Sequence, residues 1–476
     1  MTGSIRRLGP LVCLVLIGGC AILPSRPAWE IPPPPPVEKP IVPHGDLHRE
    51  TLPNGMKLIV LEDDRLPRIS LGITLRRGAG SVDPELAGVA EVATEVMQRG
   101  AGDRDALALA RVVEDAGASL SVSAGWDTTG ISIGGLSEDV GLFFDILEDV
   151  ALRPRFDPVE FEKARAEQQA SVVAAQDDPA TLIRWHALRT LYPGHRYGLP
   201  RAGTAETIQR ISLEDARAYW EDRFVPENAI FWAVGDFRAA ELMAEARRRF
   251  GRLPSRPVVA NTPPVPPKTP VSRRVVVVDK PDLVQARIIV AHEGIARTEP
   301  TRIAVGIMND ALGGSGFSSR LMKRVRSDAG LTYGIGSGFS MRSQPGPFSI
   351  STFTRVPKVA EVLDLVLEEV EAIRSDRPVT REELEKFISY NVGRFGLSLE
   401  TSDAVLSSLV DLDVFDLPED SLDTYRSRVR AVTLEDVTRA ARDRLHPDRT
   451  AIIVLGPAEA LVPQLETFGE IEIREP

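Results

Sequence analysis

Two regions of the chain begin with the same order of apolar and polar positions. In each region, two short runs rich in Val, Ile and Leu flank a polar turn, and a segment with helical spacing of apolar residues follows. Runs of this length and composition, bounded by turn residues, predict β-strands. The predicted strands are 56-MKLIVLE-62 and 68-RISLGITLR-76 around the turn 63-DDRLP-67, and 274-RVVVVD-279 and 284-VQARIIVAH-292 around Lys280 and Pro281.

A long internal repeat extends this similarity. The segment 211-ISLEDARAYWEDRFVPENAIFWAVGD-236 aligns with 432-VTLEDVTRAARDRLHPDRTAIIVLGP-457 at a constant offset of 221 positions. Such a repeat indicates a duplicated architecture. It predicts an α+β fold with two homologous halves, each with a largely antiparallel sheet packed by helices, enclosing a cleft or chamber.

The boundary between the halves is rich in proline. Residues 253–272 contain many prolines, which do not suit the interior of a sheet and do suit a linker. The N-terminal half is therefore predicted over residues 44–252 and the C-terminal half over residues 273–476.

The N-terminus reads as a targeting segment. Residues 1–20 combine a basic start, an apolar stretch too short to span a bilayer and the sequence 17-IGGC-20, an order that resembles a bacterial lipoprotein signal. The resemblance implies lipidation at Cys20, and Ala21 beside it favours the outer membrane. An ordinary signal peptide with a chance cysteine is the alternative. Residues 21–43 predict a stiff Pro-rich tether, with a Pro-rich recognition ligand as the other interpretation.

Composition and charge narrow the class of partners. The chain has 476 residues, a net charge of −11 and a pI near 5.3, without a clustered basic surface, so we expect no nucleic-acid partner. The only cysteines are Cys13 and Cys20, so cleavage of the signal would leave one thiol and no disulfide. The expected location is the bacterial cell envelope, lipid-anchored on the periplasmic face.

The stretch 87-AGVAEVATEVMQRGAG-102 is the first candidate for chemistry. It predicts a helix with an apolar stripe, and it carries two glutamates, Glu91 and Glu95, on one face. Like charges at this spacing weaken a helix slightly, so the pair calls for another explanation.

This helix resembles that of the pitrilysin/insulinase-like zinc peptidases, which include mitochondrial processing peptidase. Members of that family carry Gly-Leu-Ala-His-x-x-Glu-His after a similar hairpin, and Gly88, Ala90 and Gly100 lie at matching places. The resemblance covers nearly the whole mature chain, including 192-YPGHRYG-198 and 176-QDDP-179.

The resemblance also implies that the metal site is degenerate. The family's two histidine ligands correspond to Glu91 and Glu95, its catalytic glutamate to Thr94, and its distant third ligand to Ser171. Because Thr94 does not accept a proton as a carboxylate does, we expect no zinc hydrolysis and no metal in this chain. A carboxylate-bound Ca²⁺, Mg²⁺ or Mn²⁺ at the two glutamates stays open as an alternative.

The second half carries a glycine-rich loop, 313-GGSGFSSRLMKRVRSDAGLTYGIGSGF-339, which predicts a helix from about Phe317 and a strand after Gly330. A phosphate loop is excluded because the Lys followed by Ser or Thr is missing. The family resemblance implies substrate-binding roles for Arg326 and Tyr333 and for the loop glycines Gly313, Gly314 and Gly316. The alternative is a solvated Arg326 and a core Tyr333.

Together these features predict a non-catalytic, zinc-less subunit of a cell-envelope peptidase. The expected partners are peptide substrates, the membrane through the lipid anchor, and a homologous subunit that carries the zinc. Two alternatives stay open: a stand-alone peptide-binding or structural pseudopeptidase lipoprotein, and an atypical carboxylate-metal peptidase.

Overall fold

The computed structural model describes residues 41, 46–255 and 271–476. The predicted signal peptide, the lipidation site Cys20 and most of the tether and linker lie outside these residues, so those features stay predictions. None of the helices in the described ranges is long and apolar enough to cross a membrane.

The N-terminal half is built on one mixed sheet with the strand order β1-β2-β8-β3-β7-β6, in which only β2 and β8 pair in parallel. Its central strands β3 and β8 are almost wholly buried. The strands are β1 (Leu47–Thr51), β2 (Lys57–Glu62), β3 (Arg68–Leu75), a small pair β4 (Gly100–Ala101) and β5 (Arg104–Asp105), β6 (Ser119–Ala124), β7 (Thr129–Leu136) and β8 (Ala229–Gly235). The helices are α1 (Val89–Met97), α2 (Ala106–Asp115), α3 (Val140–Leu152), α4 (Pro158–Ala175), α5 (Pro179–Leu191), α6 (Ala205–Arg210), α7 (Leu213–Glu221) and α8 (Ala239–Phe250).

The C-terminal half has a similar sheet with the strand order β14-β9-β13-β10-β12-β11, in which β9 pairs in parallel with both β13 and β14. The strands are β9 (Arg274–Asp279), β10 (Gln285–Glu293), β11 (Ile335–Phe339), β12 (Pro347–Arg355), β13 (Ala451–Gly456) and β14 (Ile471–Arg474). The helices are α9 (Arg302–Asn309), α10 (Val359–Arg374), α11 (Arg381–Leu397), α12 (Ser402–Val414), α13 (Ser421–Arg430), α14 (Leu434–Arg444) and α15 (Ala458–Leu465), with π-helical segments at Asp310–Gly314 and Met322–Asp328.

The repeat in the sequence corresponds to repeated local chemistry. Ser212 begins α7 and Thr433 begins α14, each through a capping box closed by an aspartate three residues later. Gly235 and Gly456 end the equivalent strands β8 and β13 with positive φ, which favours glycine. The predicted α+β fold with two homologous halves and largely antiparallel sheets is confirmed.

Each half lends one helix to the other. The equivalent helices α5 and α12 leave their own half: α5 packs on β10 and β13, and α12 packs on β8 and β2. Each sheet therefore buries one face under its own helices and the other under the exchanged helix. Leu182, Ile183 and Leu191 lie on the C-terminal sheet, and Leu406 and Leu409 lie on the N-terminal sheet. The two halves consequently share their apolar cores and support each other.

A cleft of about 1200 Å³ lies between the halves. Leu61, Phe144 and Leu242 from the N-terminal half and Leu399 and Val405 from the C-terminal half form its apolar walls. No predicted site residue in the described part of the chain lines this cleft, so it is not the predicted ligand site.

Local boundaries differ from prediction near the glycine loop. In place of a regular helix from Phe317, the chain forms a single 3-10 turn at Gly316–Ser318 and then the π-helical segment. Gly330 ends that segment with φ +64, as a helix-ending glycine should. The strand begins only at Ile335, because Thr332 Oγ1 bonds the backbone of Gly334 and closes a local turn.

Candidate functional site

Helix α1 is held by glycine at its start and by apolar packing along its length. Gly88 adopts φ +101, and a Cβ there would lie 2.6 Å from the carbonyl oxygen of Ala202. The predicted apolar stripe is buried, with Val92 and Ala93 wholly inaccessible to solvent. The helix packs against α4, α7 and β6, so its polar face is presented at a fixed place.

Glu91, at the position of the family's first histidine ligand, forms an ion pair with an arginine side chain. Arg201 Nε lies 2.8 Å from Glu91 Oε1, and the contact is an ion pair without well-aligned hydrogen bonds to either oxygen. Burial raises the pKa of Glu91 to about 7, while the charges of Arg201 and Arg196 oppose that rise. Because the carboxylate is desolvated, the neighbouring arginine cations supply the compensating charge that a metal would supply elsewhere.

Glu95, at the second ligand position, also meets an arginine. Arg99, one helical turn later, donates to Glu95 Oε1 at 2.8 Å and 3.2 Å, and the same guanidinium reaches Glu167 Oε2 on α4 at 2.5 Å. Arg99 is well shielded whereas Glu95 is half exposed. The like charges noted in the sequence are thus neutralised separately.

The other two degenerate positions take no part in this network. The Thr94 hydroxyl donates within its own helix, to the carbonyl oxygens of Ala90 and Glu91 at 3.0 and 3.1 Å. Ser171 is exposed on α4. The α4 residue that contacts the start of α1 is Gln168, which donates to the carbonyl oxygens of Gly88 and Ala202.

These side chains do not fit the zinc ion that the family fold implies. Zinc sites use histidine, cysteine and carboxylate ligands, usually with three from the protein at a catalytic centre. Here the side chains at the two implied histidine positions are carboxylates, and each is paired with a guanidinium. Within the described ranges, no cluster of three or more His, Cys, Asp or Glu side chains is arranged to hold a metal.

The glycine loop is seated on the edge strand β11. A Cβ on Gly313 would lie 2.5 Å from Ser337 Oγ, and one on Gly314 would lie 2.5 Å from Asn309 Nδ2. Asn309 and Ser337 bond each other across the same contact. Gly316 has open space around it and is favoured instead by its φ of +61. Close packing therefore explains the first two glycines, and conformation explains the third.

Arg326 and Tyr333 are brought together next to this loop. The guanidinium carbon of Arg326 lies 4.6 Å from the centre of the Tyr333 ring and 4.6 Å from that of Phe317. Tyr333 is 76% exposed and Phe317 is 74% exposed, so the alternative of a core Tyr333 is wrong. The pair is preorganised and faces solvent.

The two candidate regions lie on different halves, and no contact between their side chains is found in the part of the chain that the structure describes. Helix α1 belongs to the N-terminal half, and the Arg326–Tyr333 pair projects from the C-terminal half.

The fold and this site define a class: a two-half α+β protein whose helix α1 carries arginine-paired glutamates where a metallopeptidase of similar sequence has metal ligands. Two protein-family models match this chain. The model described as insulinase (peptidase family M16) matches residues 58–205, and the model described as peptidase M16 inactive domain matches residues 210–390.

Individual relatives agree with the family models. An uncharacterised zinc protease of Streptomyces coelicolor is 24% identical over 87% of this chain and 90% of its own length. A probable mitochondrial-processing peptidase subunit beta of Arabidopsis thaliana is 25% identical over 58% of this chain and 52% of its own. The crystal structure of a peptidase M16 inactive domain from Pseudomonas fluorescens superposes with a TM-score of 0.78 at 26% identity, covering 87% of this chain and 98% of that one.

The chain belongs to the pitrilysin/insulinase-like peptidase family, as a pseudopeptidase-like member.

Sequence reasoning missed the arginines that fill the degenerate site and the aromatic neighbour of Arg326. Arg99 had a visible signal, because Glu at one position and Arg four later form a standard helical ion pair. No sequence pattern indicated the contact of Arg201 with Glu91, because the two residues lie 110 positions apart. Phe317 followed the glycines directly and its chemistry was readable, but its contact with Arg326 depends on the turn at Gly316.

Proposed function

We propose that this chain is a non-catalytic, zinc-less subunit of a cell-envelope peptidase, which binds peptide substrate and completes the active-site chamber of a zinc-bearing partner. The observation that carries the proposal is the contrast between its two candidate regions. The glutamates of α1 are paired with Arg201 and Arg99, whereas Arg326 contacts the exposed ring of Tyr333 and has no carboxylate partner among the described residues.

The chemistry of the Arg326–Tyr333 pair suits a peptide backbone. Guanidinium offers several N–H donors in a planar fork and the phenol offers an O–H donor, and both can donate to a carbonyl oxygen. Donors held ready before the ligand arrives stabilise charge that develops on that oxygen. Thr94 provides no general base, so bond cleavage would depend on the partner's carboxylate and metal.

The exposed ring of Tyr333 beside Arg326 supports the proposal of a second subunit. The partner would be a homologous two-half chain with an intact His-x-x-Glu-His, encoded nearby, and its zinc helix would face Arg326 across the chamber. The Arabidopsis relative carries the word subunit in its name, which supports an assembly of this kind. A lipid anchor on Cys20 would hold both subunits at the membrane.

A stand-alone peptide-binding or structural protein is the second candidate. The exposed aromatic and guanidinium groups would serve it equally well, since they do not require a zinc neighbour. The third candidate, an atypical carboxylate-metal peptidase, is disfavoured because Glu91 and Glu95 are both paired with arginine.

Affinity purification of the full chain from its native membrane tests the proposal. We expect a homologous chain with an intact zinc motif to elute with it, and zinc to be present at one ion per pair. Elution of this chain alone, together with full activity of the zinc-bearing neighbour by itself, would favour the stand-alone candidate. Stoichiometric metal in this chain alone would favour the third.

A further inference from the structure

A groove of about 700 Å³ lies on the C-terminal sheet beside the exchanged helix α5. Helix α5 packs on β10 and β13, and the groove runs beside it over β10, β12 and the edge strand β11. Neither Arg326 nor Tyr333 lines this groove. It is therefore a separate surface from the pair beside the glycine loop.

The groove carries positive charge only. Its lining includes Arg184 of α5, Arg287 of β10 and Arg342 after β11, and no described residue of the lining is an aspartate or a glutamate. In the ranges that the structure covers, no carboxylate forms a salt bridge with these three arginines, whereas Arg320 of the same half donates to both oxygens of Glu383. Because the whole chain has a net charge of −11, this groove is a local exception that attracts anions.

Arg342 is the most constrained of the three arginines. It is 8% exposed, and its guanidinium carbon lies 4.1 Å from the centre of the Trp126 ring and 4.5 Å from that of Tyr197. Its Nη1 has no hydrogen-bond acceptor among the described residues. The rings attract the cation but carry no net negative charge, so a desolvated charge lacks its counter-ion. An anion at this end of the groove would compensate it.

The charges are spread along the groove instead of converging on one point. Arg287 pairs with Phe353 across the two strands, and its guanidinium lies over that ring. Arg342 belongs to the other end, since Ser340, two residues before it, donates from its backbone to the carbonyl oxygen of Pro347 at 2.8 Å. Six residues of β12 separate Pro347 from Phe353, which at about 3.4 Å per residue amounts to about 20 Å. A single phosphate or carboxylate does not reach both ends.

Between these ends, the floor of the groove combines hydroxyl and apolar groups. Ser349, Ser351 and Phe353 occupy alternate positions of β12 and therefore face the same side of the sheet. Leu188 of α5 adds an apolar wall. Serine hydroxyls donate to carbonyl or carboxylate oxygens, and the apolar groups accept apolar side chains. An extended peptide of about six residues matches both the length and this lining.

We infer that the groove binds an extended acidic segment of a peptide, with Arg287 and Arg342 each facing one carboxylate side chain at opposite ends. Arg184 adds to the positive potential between them. The inference rests on the proposed peptide-binding function and names the charge class of the peptide, which the Arg326–Tyr333 pair does not determine.

The test is a fluorescence anisotropy titration of the full chain with three labelled peptides, all with amidated C-termini. The first carries two glutamates six positions apart among apolar and neutral residues, the second has glutamine at both positions, and the third has the same composition as the first with the two glutamates adjacent. We expect the first peptide to bind about tenfold tighter than the second and several-fold tighter than the third, as two separate charge pairs imply.

Variants assign the preference to the groove. Arg287→Gln should reduce the tenfold ratio between the first and second peptides to about threefold, because one of the two charge pairs remains. Arg342→Gln should have the same effect, and Arg287→Gln carries the test if that buried substitution prevents folding. Arg189→Gln is the matched control, since it removes an exposed cation of α5 that does not line the groove and should leave the ratio unchanged.

The contrary outcomes separate this inference from the proposed function. Equal affinity for the glutamate and glutamine peptides, or a tenfold ratio that persists in Arg287→Gln, would overturn the inference and leave peptide binding intact. Equal affinity for the spaced and adjacent glutamates would overturn the extended placement. Failure of the folded chain to bind any of the three peptides would overturn both the inference and the proposed function.

Discussion

Single arginine side chains decide what the degenerate metal helix can do. Arg201 and Arg99 neutralise Glu91 and Glu95 through separate contacts, one from a loop and one from the same helix. The positive charge beside each glutamate belongs to an arginine side chain of the same protein. The two glutamates, which the family resemblance aligns with metal ligands, are therefore paired with arginine side chains in this chain.

Replacing Glu91 should change the pH dependence of stability. Because burial raises its pKa to about 7, the folded chain holds a proton between roughly pH 4.5 and 7 that the unfolded chain has lost. Stability from this group is therefore lost as pH rises through that window. Relative to Glu91→Gln, the wild type should lose as much as about 3 kcal/mol of unfolding free energy between pH 5 and pH 8.

Chemical denaturation at the two pH values measures this difference. Glu95→Gln is the control, since that side chain is half exposed and its surface ion pair contributes little. Parallel pH curves for the wild type and Glu91→Gln would contradict the assignment of a buried, proton-holding carboxylate.

At the scale of elements, the glycine loop and β11 form one packed unit. Gly313 touches Ser337 at a distance that leaves no room for a methyl group, and this contact fixes the start of the segment that carries Arg326. The sequence predicted the bounds of the opening strands of both halves closely because their periodicity is local, but these strands do not form hairpins: β8 lies between β2 and β3, and β13 lies between β9 and β10. It misplaced the helix and strand around Gly330, because a π-helical turn and a side-chain bond from Thr332 are set by local geometry that apolar spacing does not reveal.

Gly313→Ala should therefore destabilise the C-terminal half by about 1–3 kcal/mol, since the added methyl group would force Ser337 and its strand to shift. Gly338→Ala, on the same strand, is the matched control, because nothing lies within 4 Å of its Cβ. Thermal unfolding of both variants provides the comparison. Equal melting temperatures would show that the loop is not packed as described.

For the whole molecule, the exchange of α5 and α12 makes one cooperative unit of two halves. The duplication was readable from a constant offset in the sequence, and so was the α+β class. The sequence did not predict this exchange, because the apolar face of an amphipathic helix can cover either of two similar sheets. The contact of Glu91 with Arg201 could not be predicted from the sequence either, because it depends on how two distant segments pack together.

A substitution on α12 should consequently weaken the other half. Leu409 belongs to the C-terminal half of the sequence and is buried on the N-terminal sheet, so Leu409→Ala should cost about 2–5 kcal/mol. Hydrogen exchange should accelerate in β2 and β8, while Ser407→Ala on the exposed face of α12 should have little effect. Faster exchange confined to the C-terminal sheet would contradict the exchanged packing.

We propose that this chain supplies substrate-binding groups to a site whose metal lies in another subunit. The peptide cleavage rate of the zinc-bearing neighbour, measured alone and after mixing with the wild-type, Arg326→Ala or Tyr333→Phe chain, tests this proposal most directly. We predict that cleavage requires both proteins and falls by about a hundredfold with Arg326→Ala, as the loss of a preorganised donor implies. Chelator-sensitive cleavage by this chain alone, or a mixture indifferent to Arg326 and Tyr333, would contradict the account.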